Sequence, residues 1–341
     1  MAVQFLRPAW TAALGVIIAG VLAMPTSVFA QLQPIPSAPV ITTVPATVGN
    51  DYWIVSSRRC RECLDCGQQC AFDVWHFDCH GHGVLRSLDD LYASLVPGTP
   101  TCFMLHGSFV EWDSVLKDSV GTNTWIRSVC PDRPLHIVFY TWPSDEAPAI
   151  RFTRDVMQLG RRAERNSLYV AELISRVPDH HPICLLGHSH GARMTLATLH
   201  VLGGGEVDGT VFAGGGYHQH RIRAVLAAAA ADHDWLNQGA LYGRAVCRAE
   251  SIVNLLSRKD LALKFYPLHR PFCTRALARI GFTDKVRQSI GPYSAKLADF
   301  DVTPFVGYGH VWAYYYQQPY IAQAISTSVF FPDVVTVATQ P

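Results

Sequence analysis

Residues 183–191 read Ile183-Cys184-Leu185-Leu186-Gly187-His188-Ser189-His190-Gly191, and 192–201 continues with helical spacing until Gly203-Gly204-Gly205. An apolar run that ends in glycine and passes at once into a helix predicts strand, sharp turn, helix. The glycines two positions either side of Ser189 have a steric reason. A residue held in so tight a turn is strained, and side chains at those positions would collide with the neighbouring strand or helix. The hydroxyl of Ser189 then projects past the sheet edge, while the helix N-terminus and the amide of His190 face the place where a negative oxygen would develop. Gly-x-Ser-x-Gly in this context is a nucleophile elbow and makes Ser189 the candidate nucleophile.

Outward from the elbow, short apolar runs ending at turn residues alternate with longer amphipathic segments. Residues 101–105 run into His106-Gly107, and 135–140 run into Thr141-Trp142-Pro143-Ser144. Both are expected to be buried strands. Between 152 and 177, Val156, Leu159, Ala163, Val170, Ile174 and Val177 share one helical face opposite arginines and glutamates, which predicts a crossover helix. Residues 222–230, 251–256 and 302–306 are expected to be further strands, and 312–316 the closing helix. Strands alternating with helices imply an α/β fold with a mainly parallel, doubly wound sheet.

An elbow serine needs a base, an acid to orient it and donors for the oxyanion, and in this strand order acid and base follow the serine, acid first. Asp260 follows the strand 251–256 through Ser257-Arg258-Lys259 and is the favoured acid, with Asp232 and Asp234 as rivals; it is equally placed to cap the segment after it. His310, in Gly307-Tyr308-Gly309-His310, is the candidate base. His218, His220 and His233 also follow the serine but precede Asp260. The backbone N–H groups of His190 and Ser108 are the expected oxyanion donors, the latter because His106-Gly107-Ser108 ends an earlier strand. His106 itself is expected to brace that loop. Trp112, Trp235 and Tyr314 are candidates for an apolar acyl pocket or for the core.

Residues 140–144, the long helix, the elbow, 255–260 and Gly309-His310 together resemble a bacterial family of uncharacterised α/β-hydrolases. That family has a Trp-Pro-Ser segment and a Gly-His-Ser-x-Gly elbow. The resemblance covers roughly residues 100–325 and departs at His190, where such proteins commonly carry methionine. It implies an α/β-hydrolase sheet and serine hydrolase chemistry and supports Asp260 as the acid; the triad mechanism itself needs no cofactor or metal. It supplies no substrate; the expectation of a small-molecule or lipid ester comes from the triad chemistry.

The chain has 341 residues, 49% of them hydrophobic and 16% charged, with net charge +1. That composition fits an ordinary globular enzyme and neither a nucleic-acid binder nor a disordered tail. Arg7, the apolar run 12–24, Pro25 and Val28-Phe29-Ala30 have the layout of a secretory signal peptide cleaved after Ala30. The run is shorter than the roughly 20 residues that span a bilayer, so cleavage is favoured over a retained anchor, and a secreted, periplasmic or cell-envelope location follows. No arginine pair supports twin-arginine export. Residues 31–50, with Pro34, Pro36, Pro39 and Pro45, read as a linker, leaving 51–341 as one domain.

Within it, 51–100 is an N-terminal elaboration rich in cysteine. Cys60, Cys63, Cys66 and Cys70 have the spacing of an iron–sulfur segment, but Ala71 replaces the usual proline and an exported chain meets an oxidising environment. Disulfides are therefore expected, with zinc, aided by Cys79, His80 and His82, as the alternative. Cys102, Cys130, Cys184, Cys247 and Cys273 are scattered, and those on apolar strands are expected to be buried thiols. Two other functions compete with a hydrolase: a non-catalytic interaction protein on the same scaffold, and a metal-binding protein using Cys60–Cys70.

Overall fold

The computed structural model describes residues 49–60, 70–145, 152–215, 220–269 and 275–333. The signal segment, linker residues 31–48, Cys63, Cys66, His218 and Cys273 lie outside the described residues. The strands are β1 Tyr52–Ser56, β2 Asp73–Phe77, β3 Gly83–Arg86, β4 Thr101–Leu105, β5 His136–Thr141, β6 Pro182–His188, β7 Glu206–Val207, β8 Thr210–Val211, β9 Arg221–Ala227, β10 Ser251–Leu256 and β11 Leu297–Asp301. The helices, in order, are α1 Leu88–Ser94, α2 Trp112–Arg127, α3 Phe152–Ser175, α4 His190–Leu202, α5 Ala245–Arg248, α6 Leu261–Lys264, α7 Tyr266–His269, α8 Leu277–Ile280, α9 Asp284–Ile290, α10 Thr303–Val306, α11 Ala313–Tyr316 and α12 Pro319–Phe330.

Nine strands make one sheet in the order β11-β10-β9-β6-β4-β5-β1-β2-β3. The pairs from β1 through β11 are parallel, and β2 alone runs against its neighbours. This is a mainly parallel, doubly wound α/β sheet. Strands covered on both faces read as unbroken apolar runs, and β4 and β6 are buried at every position. β3, at the margin, is exposed throughout. On one face α4 lies against β4, β6 and β9 beneath α3; α2, α11 and α12 supply the other layer. Every residue of α4 is buried.

The N-terminal elaboration is woven into this sheet. Tyr52-Trp53-Ile54-Val55 is a β-forming run whose residues are all buried, with Ile54 opposite Phe139 of β5. A disulfide joins Cys60 and Cys70, which removes both thiols from any four-cysteine metal set. Among the described residues no group of three or more His, Cys, Asp or Glu is placed to hold a metal ion. Cys102 and Cys184 are buried thiols facing each other in register across β4 and β6.

Two expectations are corrected. Residues 303–306 form helix α10, not a strand, and the last strand is 297–301. Pro304, with no N–H, suits the first turn of a helix, whose donors need no intrahelical acceptor. Leu297-Ala298-Asp299-Phe300-Asp301 buries only its first residue, as a sheet-margin strand can, so it lacks an apolar run. The closing helix is likewise 319–330, with 313–316 a single turn before it.

The topology places a crevice. From β4 the chain passes through α2 to β5 on one side; from β6 it passes through α4 to β9 on the other. Neighbouring strands whose connections leave in opposite directions open a crevice beyond their carboxyl ends. Register brings Leu105 opposite Gly187, so His106-Gly107-Ser108 and Ser189 emerge side by side.

Candidate active site

Ser189 is the N-cap of α4 and has φ +54° and ψ −119°, a strained conformation for a residue with a side chain. The turn is kept by close backbone approach. A Cβ on Gly187 would lie 2.5 Å from the carbonyl oxygen of Gly191, and a Cβ on Gly191 would overlap the carbonyl oxygens of Leu105 and His106. Ser189 N–H donates to Ala227 O at 2.9 Å, fixing the turn to β9.

The structure brings Ser189, His310 and Asp260 together from three places in the chain. Ser189 Oγ is 3.0 Å from His310 Nε2, and His310 Nδ1 is 2.8 Å from Asp260 Oδ2. Asp260 is fully buried, whereas the His310 side chain is 26% exposed, so the imidazole meets the crevice and the carboxylate does not. The other carboxylate oxygen of Asp260 accepts Leu263 N–H at 2.9 Å and caps α6. One oxygen of Asp260 thus faces the imidazole while the other caps a helix, so the two alternatives posed by the sequence occur together. The rivals are elsewhere: Asp232 accepts the Tyr266 hydroxyl at 2.7 Å, and Asp234 lies in the turn where its carbonyl receives Asn237 N–H. His220 and His233 use their backbones, accepting from Arg248 and donating to Arg275 O.

His106 braces the neighbouring loop, as expected, and does so through a defined relay. Its Nδ1–H donates to Gly107 O at 2.8 Å, leaving Nε2 to accept from the Thr141 hydroxyl at 2.9 Å, whose oxygen in turn accepts Arg58 Nε–H at 2.9 Å. Burial pushes the His106 pKa down to about 3, so the ring stays neutral. Because the Gly107–Ser108 peptide is trans, fixing the Gly107 carbonyl toward His106 turns the Ser108 N–H the opposite way.

Trp142-Pro143-Ser144, legible in sequence only as a resemblance, holds the same loop. Trp142 is fully buried, stacks on His106 and donates from Nε1 to His106 O at 3.0 Å. Ser144 accepts Phe109 N–H at 2.6 Å through its carbonyl and donates its hydroxyl to Val110 O at 3.1 Å. Arg162 on α3 donates to Pro143 O at 2.8 Å.

A residue that sequence reasoning missed is His188. Its Nε2–H donates to the carbonyl of His310 at 2.6 Å, and its ring packs against those of His310, Trp312 and Tyr315. Burial is the main cause that lowers its pKa to about 3, with His310 adding to it, so it is a neutral donor. The one sequence signal was a polar residue ending an otherwise apolar strand. Of the three aromatic candidates, Trp235 is buried beneath Arg193 and Trp112 packs on Trp75. Tyr314 lies against Gly309, beside His310.

No family model matches the chain, and no curated protein matches it. Among solved structures, an esterase B from Lactobacillus rhamnosis inhibited by a C4-C4 SN3 tributyrin phosphonate is similar at 11% identity, over 95% of this chain and 97% of that one, with a TM-score of 0.38. A second, C6-C4 SN3-inhibited structure of the esterase is similar at 12% identity over 93% of each chain, again with a TM-score of 0.38.

Proposed function

We propose that this chain is an exported serine hydrolase that cleaves a carboxylic ester or related acyl bond through an acyl-enzyme intermediate. Ser189 attacks the carbonyl carbon as His310 takes its proton; Asp260 orients the imidazole and stabilises its charged form. The N–H groups of His190 and Ser108 receive the oxyanion. His310 returns the proton to the leaving alcohol, then draws one from water as it attacks the acyl carbon, and passes that proton to Ser189 Oγ as the ester bond to the enzyme breaks and the acid leaves. The observation that carries the proposal is the continuous line Ser189 Oγ, His310 Nε2, His310 Nδ1, Asp260 Oδ2, with spacings of 3.0 and 2.8 Å, centred on a serine at positive φ. Export rests on the layout of residues 1–30.

A fluorophosphonate probe tests the chemistry. Wild-type protein should be labelled on Ser189 and should hydrolyse some member of a p-nitrophenyl ester series of graded chain length; Ser189→Ala should do neither. Equal activity in the two proteins, or an unlabelled wild type, overturns the proposal.

A further inference from the structure

We propose that Arg58, which comes from the cysteine-rich N-terminal elaboration, is a positioning residue for the oxyanion site: its guanidinium holds the loop 106–110 that presents the Ser108 N–H. The inference rests on the hydrolase reading above and goes beyond it, giving the elaboration a part in catalysis.

Three neighbouring strands end side by side. β4, β5 and β1 are adjacent in the sheet, with Leu105 opposite Tyr140 and Ser56 opposite Thr141. His106, Thr141 and Arg58 therefore emerge next to one another along the carboxyl edge. Ser57 N–H donates to Thr141 O at 2.9 Å and Arg58 N–H to the Ser56 hydroxyl at 3.2 Å, which fixes the chain where it leaves β1. The Arg58 side chain is only 15% exposed, and each of its nitrogens has an acceptor: Nε–H donates to Thr141 Oγ1 at 2.9 Å, Nη1–H to Asp145 Oδ2 at 2.7 Å and Nη2–H to Val110 O at 2.6 Å. Val110 lies just beyond Ser108 in the chain. The bonds through Thr141 and His106 end on Gly107, just before it. One guanidinium thus grips the loop on both sides of the donor.

The relay has a single proton arrangement. A carbonyl only accepts and a guanidinium only donates. Gly107 O requires the proton of the neutral His106 ring on Nδ1, which leaves Nε2 bare; Thr141 then donates to Nε2, and its oxygen accepts from Arg58. Without Arg58 the Thr141 hydroxyl is free to turn from the ring, and Val110 O keeps only the Ser144 hydroxyl. On the other side the loop is tied to α4, where Ser108 Oγ and His190 Nδ1 are 2.6 Å apart. Because β6 and β1 flank β4 from opposite sides, the loop is held between the nucleophile's helix and Arg58.

Arg58→Met keeps much of the stem and removes every donor. With active sites counted by the amount of fluorophosphonate bound, we expect kcat per titrated Ser189 on a reactive p-nitrophenyl ester to fall about 10- to 100-fold at unchanged KM, the scale on which a misplaced catalytic group is felt. Affinity for an alkyl boronic acid, whose adduct on Ser189 carries a tetrahedral oxyanion, should fall by a similar factor. Thr141→Val, which cuts the relay and leaves the bonds to Val110 and Asp145, should lose part of the activity and add little to Arg58→Met in the double variant; Thr141→Ser should stay near wild type. Arg59 is the control, its side chain 75% exposed and paired with Asp73; Arg59→Met should leave kcat unchanged. A purely structural role for Arg58 would lower the melting temperature and the number of titratable sites while kcat per site and boronate affinity stayed as in wild type. Values of both within about twofold of wild type in Arg58→Met, or in Thr141→Val if Arg58→Met does not fold, overturn the inference, as does an equal loss in Arg59→Met. Failure of the wild type to take the fluorophosphonate overturns the hydrolase reading instead.

Discussion

Asp260 answers two demands with its two oxygens, one to His310 and one to Leu263 N–H. The demands separate by substitution. Asp260→Asn keeps an oxygen to cap α6 but loses the charge that stabilises the imidazolium, so kcat should drop by about 10⁴ while the melting temperature stays near wild type. Asp260→Ala should lose that activity and also about 1 kcal/mol of cap stability, seen as a melting point a few degrees lower. Equal melting points for the two variants would show that the cap contributes nothing. Ser189 and Asp260 were legible in the sequence because each follows an apolar strand; His310 was legible only by its order after the acid, since the segment before it, read as a strand, is helix α10. The partners that hold them were not. The Ser108–His190 bond joins residues 82 apart and His188 reaches across 122, and neither contact leaves a periodic trace in the chain.

At the level of elements, the central junction is β6 to the loop after α10, made by the His188 imidazole on the His310 carbonyl. Replacing His188 with leucine leaves that carbonyl without its donor and frees the base loop. A buried acceptor stranded in this way costs roughly 1–3 kcal/mol. We expect kcat and the rate of fluorophosphonate labelling to fall together by about tenfold or more, with KM unchanged, and His188→Gln, which keeps an N–H donor, to recover part of both. Labelling at the wild-type rate in His188→Leu would leave His188 a packing residue only. Elements buried on both faces could be placed from sequence, since β4 and β6 are unbroken apolar runs. The margin could not. β11 shows most of its length to solvent and so has no apolar run, while Val302, Thr303, Phe305 and Val306, β-like in composition, lie in a helical turn that Pro304 opens and Gly307 closes at φ +58°.

For the molecule as a whole, buried neutral histidines make stability depend on pH. His106 and His188 have pKa values near 3 in the folded protein, against about 6.5 in an unfolded chain. Above 6.5 both states hold the rings neutral and stability is flat with respect to them. Below it the unfolded chain binds protons that the folded one refuses, so stability falls with pH, by about 1.4 kcal/mol per pH unit for each ring, down to the folded values. Urea unfolding at pH 7, 6, 5 and 4 should show this decline beginning above the range where carboxylates titrate; a free energy level from 7 to 5 would contradict it. The class of fold was legible from alternation alone, but the strand order was not, because nothing local says that β1, near the chain's described start, lies beside β5. That order has a consequence for endurance. Ser189 leaves the middle of the sheet, while His310 arrives from beyond its rim, where strands open first in thermal breathing. The imidazole of His188 moors the base to the middle strand, so the outermost strand can part from the sheet without carrying the base off with it.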